Sequence, residues 1–164
     1  MKVEGQVFVI TGGARGLGLA IAQAITHKGG ICALVDLDQA AVDLAAASCG
    51  TQSKGYVCNI TQEPEVEMLF EQVLADFGRL DGLVNNAGLL RDGMLIKFKD
   101  GQVQGKMSLS QWQSVIDVNL TGTFLCGREG AIAMAKAGNG GVIVNISSIA
   151  KAGNIGQSNY AATK

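Results

Sequence analysis

Thr11-Gly12-Gly13-Ala14-Arg15-Gly16-Leu17-Gly18 is the stretch that decides the fold, because of what stands on either side of it. Residues 6–11 (QVFVIT) are apolar, β-branched or aromatic apart from Gln6, which predicts a buried strand. On the far side Leu17, Ala20, Ile21, Ala24 and Ile25 recur at helical spacing, and Gly29-Gly30 stops the run after Lys28. A glycine turn between strand and helix suits a pyrophosphate. Gly12 and Gly16 let backbone amides come close, Gly18 lets the helix approach the strand, and the helix N-terminus favours negative charge.

Glycine-rich turns also occur as plain connectors, so a second signal matters. Residues 31–35 (ICALV) read as a strand buried on both faces, and Asp36 follows at its C-terminal end, eighteen residues after Gly18. A carboxylate there can accept hydrogen bonds from the adenosine ribose of NAD and would repel the additional phosphate of NADP. NAD is therefore the preferred cofactor. NADP is the alternative, because the Arg15 guanidinium could neutralise that phosphate. Leu17 and Leu37 join Gly12, Arg15, Gly16, Gly18 and Asp36 as expected cofactor contacts.

Further along, strand and helix patterns continue to alternate. Helix is predicted over 39–47, strand over 56–58, an amphipathic helix capped by Thr61 and ending near Phe77-Gly78, and strand over 80–84. A long helix over 110–137 and a strand over 141–146 (GVIVNI) follow. This order predicts one α/β domain across residues 1–164, a Rossmann-like doubly wound parallel sheet with helices on both faces. Residues 95–106 (LIKFKDGQVQGK) break the rhythm. Their apolar and polar residues alternate around Asp100-Gly101, which suits a type I′ turn and predicts an inserted hairpin.

Composition narrows the function classes. The 164 residues are 48% apolar, enough for a buried core, and the formal charge is −1. No basic tract marks a nucleic-acid or anionic-membrane partner, no apolar run is long enough to span a bilayer, and residues 1–10 lack a signal-peptide pattern. A small-molecule partner and a cytoplasmic location are expected. Cys32, Cys49, Cys58 and Cys126 show no CxxC spacing and read as reduced structural thiols. His27, the single histidine, falls in a helical pattern, so no metal site is expected.

Three more motifs follow the glycine turn in order: Asn85-Asn86-Ala87-Gly88, Asn145-Ile146-Ser147-Ser148, and Tyr160-Ala161-Ala162-Thr163-Lys164, a YxxxK match. Together with TGxxxGxG they resemble the short-chain dehydrogenase/reductase family from Gln6 to the C-terminus. The resemblance implies an oxidoreductase that moves a hydride between a nicotinamide dinucleotide and a carbonyl or secondary alcohol. It implies that Asn59 and Ile60 flank the adenine, that Asn86, Ala87 and Gly88 line the adenosine and ribose region, and that Val118 approaches the cofactor. Many family members carry Asp where this chain has Asn59, but an amide still offers a donor and an acceptor.

The same resemblance implies the chemistry. Tyr160 is the acid that protonates the carbonyl oxygen. A free phenol titrates near roughly 10, and a lysine four residues on, across one helical face, favours its anion. Lys164 would also hold the nicotinamide ribose, Asn119 would anchor a relay water, and a serine would hydrogen-bond the substrate oxygen. Counting thirteen positions back from Tyr160 selects Ser147, whereas alignment through Asn-x-Ser-Ser selects Ser148; the strand register favours Ser148 as catalytic and leaves Ser147 structural. The 153–160 run resembles 3-oxoacyl carrier-protein reductases, whose usual NADPH preference conflicts with Asp36. A non-catalytic nucleotide sensor is the reading outside the enzyme class. Family members continue beyond the YxxxK signature, so the resemblance implies that the C-terminal part of the fold is missing, that residues 1–164 alone are inactive, and that the full-length protein is a homo-oligomer.

Overall fold

Successive residues of the central strands face opposite sides of one sheet, and both sides are apolar. The computed structural model describes residues 2–164. β1 (Val7–Thr11), β2 (Ile31–Asp36), β3 (Lys54–Val57), β4 (Gly82–Asn85) and a later strand, Val142–Asn145, pair in parallel. α1 (Gly16–Thr26) and α2 (Gln39–Ser48) supply Ala22, Val42, Ala45 and Ala46 to one face, where they meet Phe8, Ile10, Cys32, Leu34 and Val84. α3 (Glu63–Phe77) and a later helix, Thr123–Ala137, supply Val66, Leu69, Phe70, Val73 and Leu125 to the other, against Val9, Ala33, Val35 and Leu83. Period-two alternation within continuously apolar strands thus feeds two cores, as a sheet covered on both sides requires.

The intervening elements are β5 (Ile96–Lys99), β6 (Gln102–Lys106), α4 (Leu109–Ile116) and α5 (Thr123–Ala137), after which β7 (Val142–Asn145) and α6 (Ser158–Ala162) complete the order. The sheet runs β3-β2-β1-β4-β7. From β1 the chain first winds outward through β2 and β3, then crosses to β4 on the opposite flank. That reversal leaves a crevice at the C-terminal ends of β1 and β4, the usual ligand position in such sheets.

β5 and β6 form the expected hairpin, and Asp100 (φ 52°) and Gly101 (φ 76°) take the left-handed conformations of a type I′ turn. Two boundary readings need correction. Thr61 does not cap α3; Gln62 is its N-cap, while Thr61 turns back to donate through its backbone N–H and its hydroxyl to the Asn59 side chain. The helix expected over 110–137 is continuous but not regular. Asp117–Gly122 between α4 and α5 is wound as a π-helix, a geometry that often accompanies functional sites. All four cysteines are free and buried, and burial pushes the thiols of Cys32, Cys58 and Cys126 up to about 12, which keeps them protonated and inert.

Candidate active site

A cleft of about 380 Å³ opens at the C-terminal ends of β1 to β4. Gly12 and Arg15 line it after β1, Asp36 and Leu37 at the end of β2, Asn59 and Ile60 after β3, and Asn86, Ala87 and Gly88 after β4. Val118 faces it from the π-helical segment. Ten of the expected cofactor contacts therefore share one wall although they come from five separate stretches of sequence.

The wall is held by close backbone approach. Gly12 has φ 64°, and a β-carbon there would lie 2.9 Å from the Ala87 Cα, so only glycine fits. Gly18 sits buried beneath the turn, where a β-carbon would collide with the Gly12 carbonyl; it shapes the cleft without lining it. Leu17 and Gly16 are exposed at the start of α1 and likewise do not line the cleft.

Thr11 does work that the sequence reading missed. Its hydroxyl accepts from the backbone N–H of Asn86 and of Ala87, each at 3.1 Å, and donates to the Val84 carbonyl at 3.4 Å. The Asn86 side chain returns the link, donating to the carbonyls of Thr11 (3.0 Å) and Gly12 (3.1 Å). The two loops that cradle the cleft are thus stapled to each other. A hydroxyl at the last position of β1, adjoining Gly12, was the available signal. Val35, Cys58 and Leu89 also line the cleft and flank residues that were anticipated.

Asp36 is turned inward. One carboxylate oxygen accepts from the Leu37 N–H at 2.8 Å and the other from the Ala14 N–H at 3.2 Å, which ties the end of β2 to the glycine turn. Asn59 is less free than expected: both Thr61 donors occupy its Oδ1, so its amide N–H group is what it can offer to a ligand.

Beyond Gly88 the cleft meets a second group of residues. A β-carbon on Gly88 would stand 3.6 Å from Asn119 Oδ1 and 3.9 Å from Lys164 Nζ. Asn119 is 2% exposed, which rules out a solvated mid-helix amide. Its Oδ1 accepts from the Leu89 N–H at 2.7 Å, and its Nδ2 donates to the Leu89 carbonyl (3.0 Å) and the Thr163 hydroxyl (3.2 Å). This side chain pins the segment after β4 to the end of α6. Lys164 Nζ donates to the Ile146 carbonyl at 3.0 Å and stands 5.5 Å from the centre of the Tyr160 ring. Burial holds its ammonium below the ordinary lysine range. Tyr160 and Lys164 are therefore neighbours, as an i, i+4 pair at a helix end should be.

The two serines differ in attachment. Ser147 is exposed and donates to the Lys164 backbone carbonyl at 3.0 Å. Ser148 is half-buried and caps the short 3₁₀ turn Ile149–Ala152 by accepting from the Ala150 N–H at 3.1 Å.

Several known proteins are similar to this chain. The chain is 33% identical to the 3-oxoacyl-[acyl-carrier-protein] reductase of Escherichia coli K12 over 164 residues, covering 100% of this chain and 64% of the relative. Identity to the same-named reductase of Thermotoga maritima is 37%, again covering 100% of this chain and 64% of the relative. A 2,5-dichloro-2,5-cyclohexadiene-1,4-diol dehydrogenase of Sphingobium indicum is 34% identical over 148 residues, 90% of this chain and 56% of that one. Among solved structures, an NAD+-bound xylitol dehydrogenase superposes with a TM-score of 0.87 at 31% identity, covering 100% of this chain and 61% of that one. The chain thus spans about 64% of the length of its reductase relatives. The family model described as short chain dehydrogenase matches residues 6–164, and the chain belongs to that family.

Proposed function

We propose that this chain carries the cofactor site and the proton-transfer residues of an oxidoreductase acting on a carbonyl or secondary alcohol, with NAD as the preferred cofactor. The observation that supports this most is at Gly88, where the lining of the cleft comes within about a side chain's reach of Asn119 and Lys164. A binding groove for an elongated cofactor and a phenol-ammonium pair would otherwise have no reason to adjoin.

The residues present fit such a cofactor. Gly12 and Gly18 keep β-carbons out of the turn that would receive the pyrophosphate, and Asp36 ends the strand that would meet the adenosine ribose. Arg15, Leu37, Asn59, Ile60, Asn86, Ala87 and Val118 would complete the contacts. A bound nicotinamide supplies or accepts the hydride. The chain's own residues manage the proton and the charge. Tyr160 donates its phenolic proton to the carbonyl oxygen as reduction proceeds, and takes it back from the alcohol in the reverse direction. Lys164, its ammonium facing the ring, offsets the negative charge left on the phenolate. Ser148 hydrogen-bonds the substrate oxygen where charge develops. Asn119 holds the Leu89 backbone and Thr163 in register, so that cleft and catalytic helix keep their spacing.

The preference for NAD rests on Asp36, whose carboxylate at the β2 end would face a 2′-phosphate with like charge. NADPH-dependent 3-oxoacyl carrier-protein reduction is the second reading, favoured by the similarity to reductases of that name. A cytoplasmic homo-oligomer is part of the proposal; the one structural fact bearing on membranes is that no helix among the described residues is long and apolar enough to cross one.

The test is a titration of the full gene product with NAD(H) and NADP(H), followed by turnover on a carbonyl panel and comparison with Tyr160→Phe. Tighter binding of NAD(H) is expected, with a roughly 10²–10⁴-fold loss of kcat in Tyr160→Phe at unchanged cofactor affinity. Cofactor binding without any turnover that depends on Tyr160 would establish the sensor instead.

A further inference from the structure

Tyr160 sits on a helix of five residues, Ser158–Ala162, too short to hold its position by its own hydrogen bonds. What fixes it must come from elsewhere in the chain. We infer that Asn159 is the positioning residue of Tyr160, setting the phenol against the strap formed by Arg91, Asp92 and Gly93 at the root of the β5–β6 hairpin. The inference rests on the functional reading above for its consequence in catalysis, but its structural part stands on independent contacts.

Asn159 is 0% exposed. Its Oδ1 accepts from the backbone N–H of Tyr160 at 2.9 Å, and its Nδ2 donates to the Arg91 carbonyl at 2.8 Å and reaches the Gln111 carbonyl at 3.5 Å. A buried amide is costly unless both ends are satisfied, and here each end serves a different element. The strap is also tied to the loop leading into Tyr160. The Gly93 N–H donates to the Gly156 carbonyl at 2.7 Å, Gly93 bridges Gln157 in parallel, and Gln157 Nε2 donates to the Asp92 carboxylate at 3.0 Å. From the other side Gln111 of α4 donates through its Nε2 to the carbonyls of Arg91 (3.2 Å) and Asp92 (3.1 Å). The strap is therefore clamped between α4 and the residues entering α6. Asn159 is the member of this network whose side chain touches both the strap and the Tyr160 backbone.

The geometry also identifies a remote way to loosen the clamp. A β-carbon on Gly93 would lie 2.6 Å from Gln111 Nε2, so Gly93→Ala must displace that amide, which holds the Arg91 and Asp92 carbonyls, while leaving the residues Asn159 and Tyr160 themselves in place. Displacement of a reacting group by about an ångström can cost about 10²-fold in rate.

The experiment compares Asn159→Ala, Asn159→Asp and Gly93→Ala with the wild-type full gene product. Cofactor dissociation constants, kcat, KM, the pH dependence of kcat and amide hydrogen exchange are read at a temperature where every variant is folded. Asn159→Ala is expected to lower kcat about 10–100-fold at unchanged cofactor affinity, and to accelerate exchange both at 156–164 and at the strap. Asn159→Asp keeps the acceptor for the Tyr160 N–H but turns two donors into repulsion against carbonyls; it should lose exchange protection at the strap while retaining it at Tyr160. Gly93→Ala should lower kcat less than Asn159→Ala does. Should Asn159→Ala keep the wild-type kcat and pH profile, the positioning role is overturned. If the wild-type protein neither binds pyridine nucleotides nor depends on Tyr160, the functional reading fails, and exchange at the strap and at Tyr160 still decides whether Asn159 couples them. Unchanged exchange at either segment in Asn159→Ala overturns the inference outright.

Discussion

β4 and β7 lie side by side and in register, Gly82 against Val142 and Asn85 against Asn145, with the similar sequences GLVN and VIVN. Every residue of β4 is buried and every residue of β7 is exposed. Strand composition alone does not set burial: within these 164 residues, which span about 64% of the reductase relatives' length, β4 is covered and β7 is not. β4 has β1 on one flank and β7 on the other, whereas β7 is the last strand of the order. The two strands also feed different halves of the site. Residues 86–88 leave β4 already stapled to Thr11 and Gly12, while Ser147 and Ser148 leave β7 held by one bond to the Lys164 carbonyl and one to the Ala150 amide. The half proposed to hold the cofactor is tied loop to loop by several hydrogen bonds, whereas each of the two serines after β7 is held by one.

The largest expected effect of the comparison is on the inner strand. Leu83 is fully buried between the sheet and α5, and Leu83→Ala should cost about 2–5 kcal/mol in urea unfolding of the 164-residue chain, at unchanged m-value. A cost below about 1 kcal/mol would mean that the β4 environment is as loose as that of β7.

Asp81 tests the joint between the two strands at their other end. Its carboxylate accepts from the Val7 N–H at 2.9 Å, from Arg79 at 2.6 and 2.7 Å and from Asn139 Nδ2 at 2.8 Å, and its backbone carbonyl takes the Val142 N–H at 3.0 Å. Burial alone would push Asp81 up, but Arg79, the Val7 amide and Asn139 outweigh it and hold the carboxyl below the usual range. A depressed folded pKa means that this stabilisation is present above the ordinary carboxylate value and is lost as pH falls through the folded pKa. Asp81→Asn should therefore destabilise by about 1.5–3 kcal/mol at neutral pH, with the gap to wild type closing as pH falls through the lowered Asp81 pKa. A gap that does not depend on pH would assign the loss to packing.

What was legible beforehand follows the same physics. The turn 11–18 could be read because positive φ and close backbone approach leave glycine no substitute, and Asp100-Gly101 because a type I′ turn needs two residues that tolerate φ > 0. The inner strands could be read because burial on both faces demands unbroken apolar runs. The exposure of β7 could not, since VIVN carries the same signal as a covered strand. Nor could the π-helical winding of Asp117–Gly122, which no period in those residues announces, or the capture of Asn59 by Thr61, since both an Asx turn and a helix cap use the same residue types. Asn159 was illegible for a different reason: its partner carbonyl is 68 positions away, and such a pairing exists only once the topology has formed.

The smallest expected effect carries the sharpest test of the comparison. Ile143 pairs with Leu83 across the sheet but is 37% exposed, so truncating it removes side-chain atoms that are still partly in water. Ile143→Ala should cost less than about 1 kcal/mol in the same unfolding measurement, well under the value for its neighbour. Similar residues in register would then differ in energetic weight because the faces of β7 are less covered than those of β4 within these residues. If Ile143→Ala costs as much as Leu83→Ala, β7 is covered in solution by a further contact, and the exposed strand would be an inner strand like β4. Repeating the measurement over a range of protein concentrations tells whether that contact is between copies, since a cost that grows with concentration can only come from association.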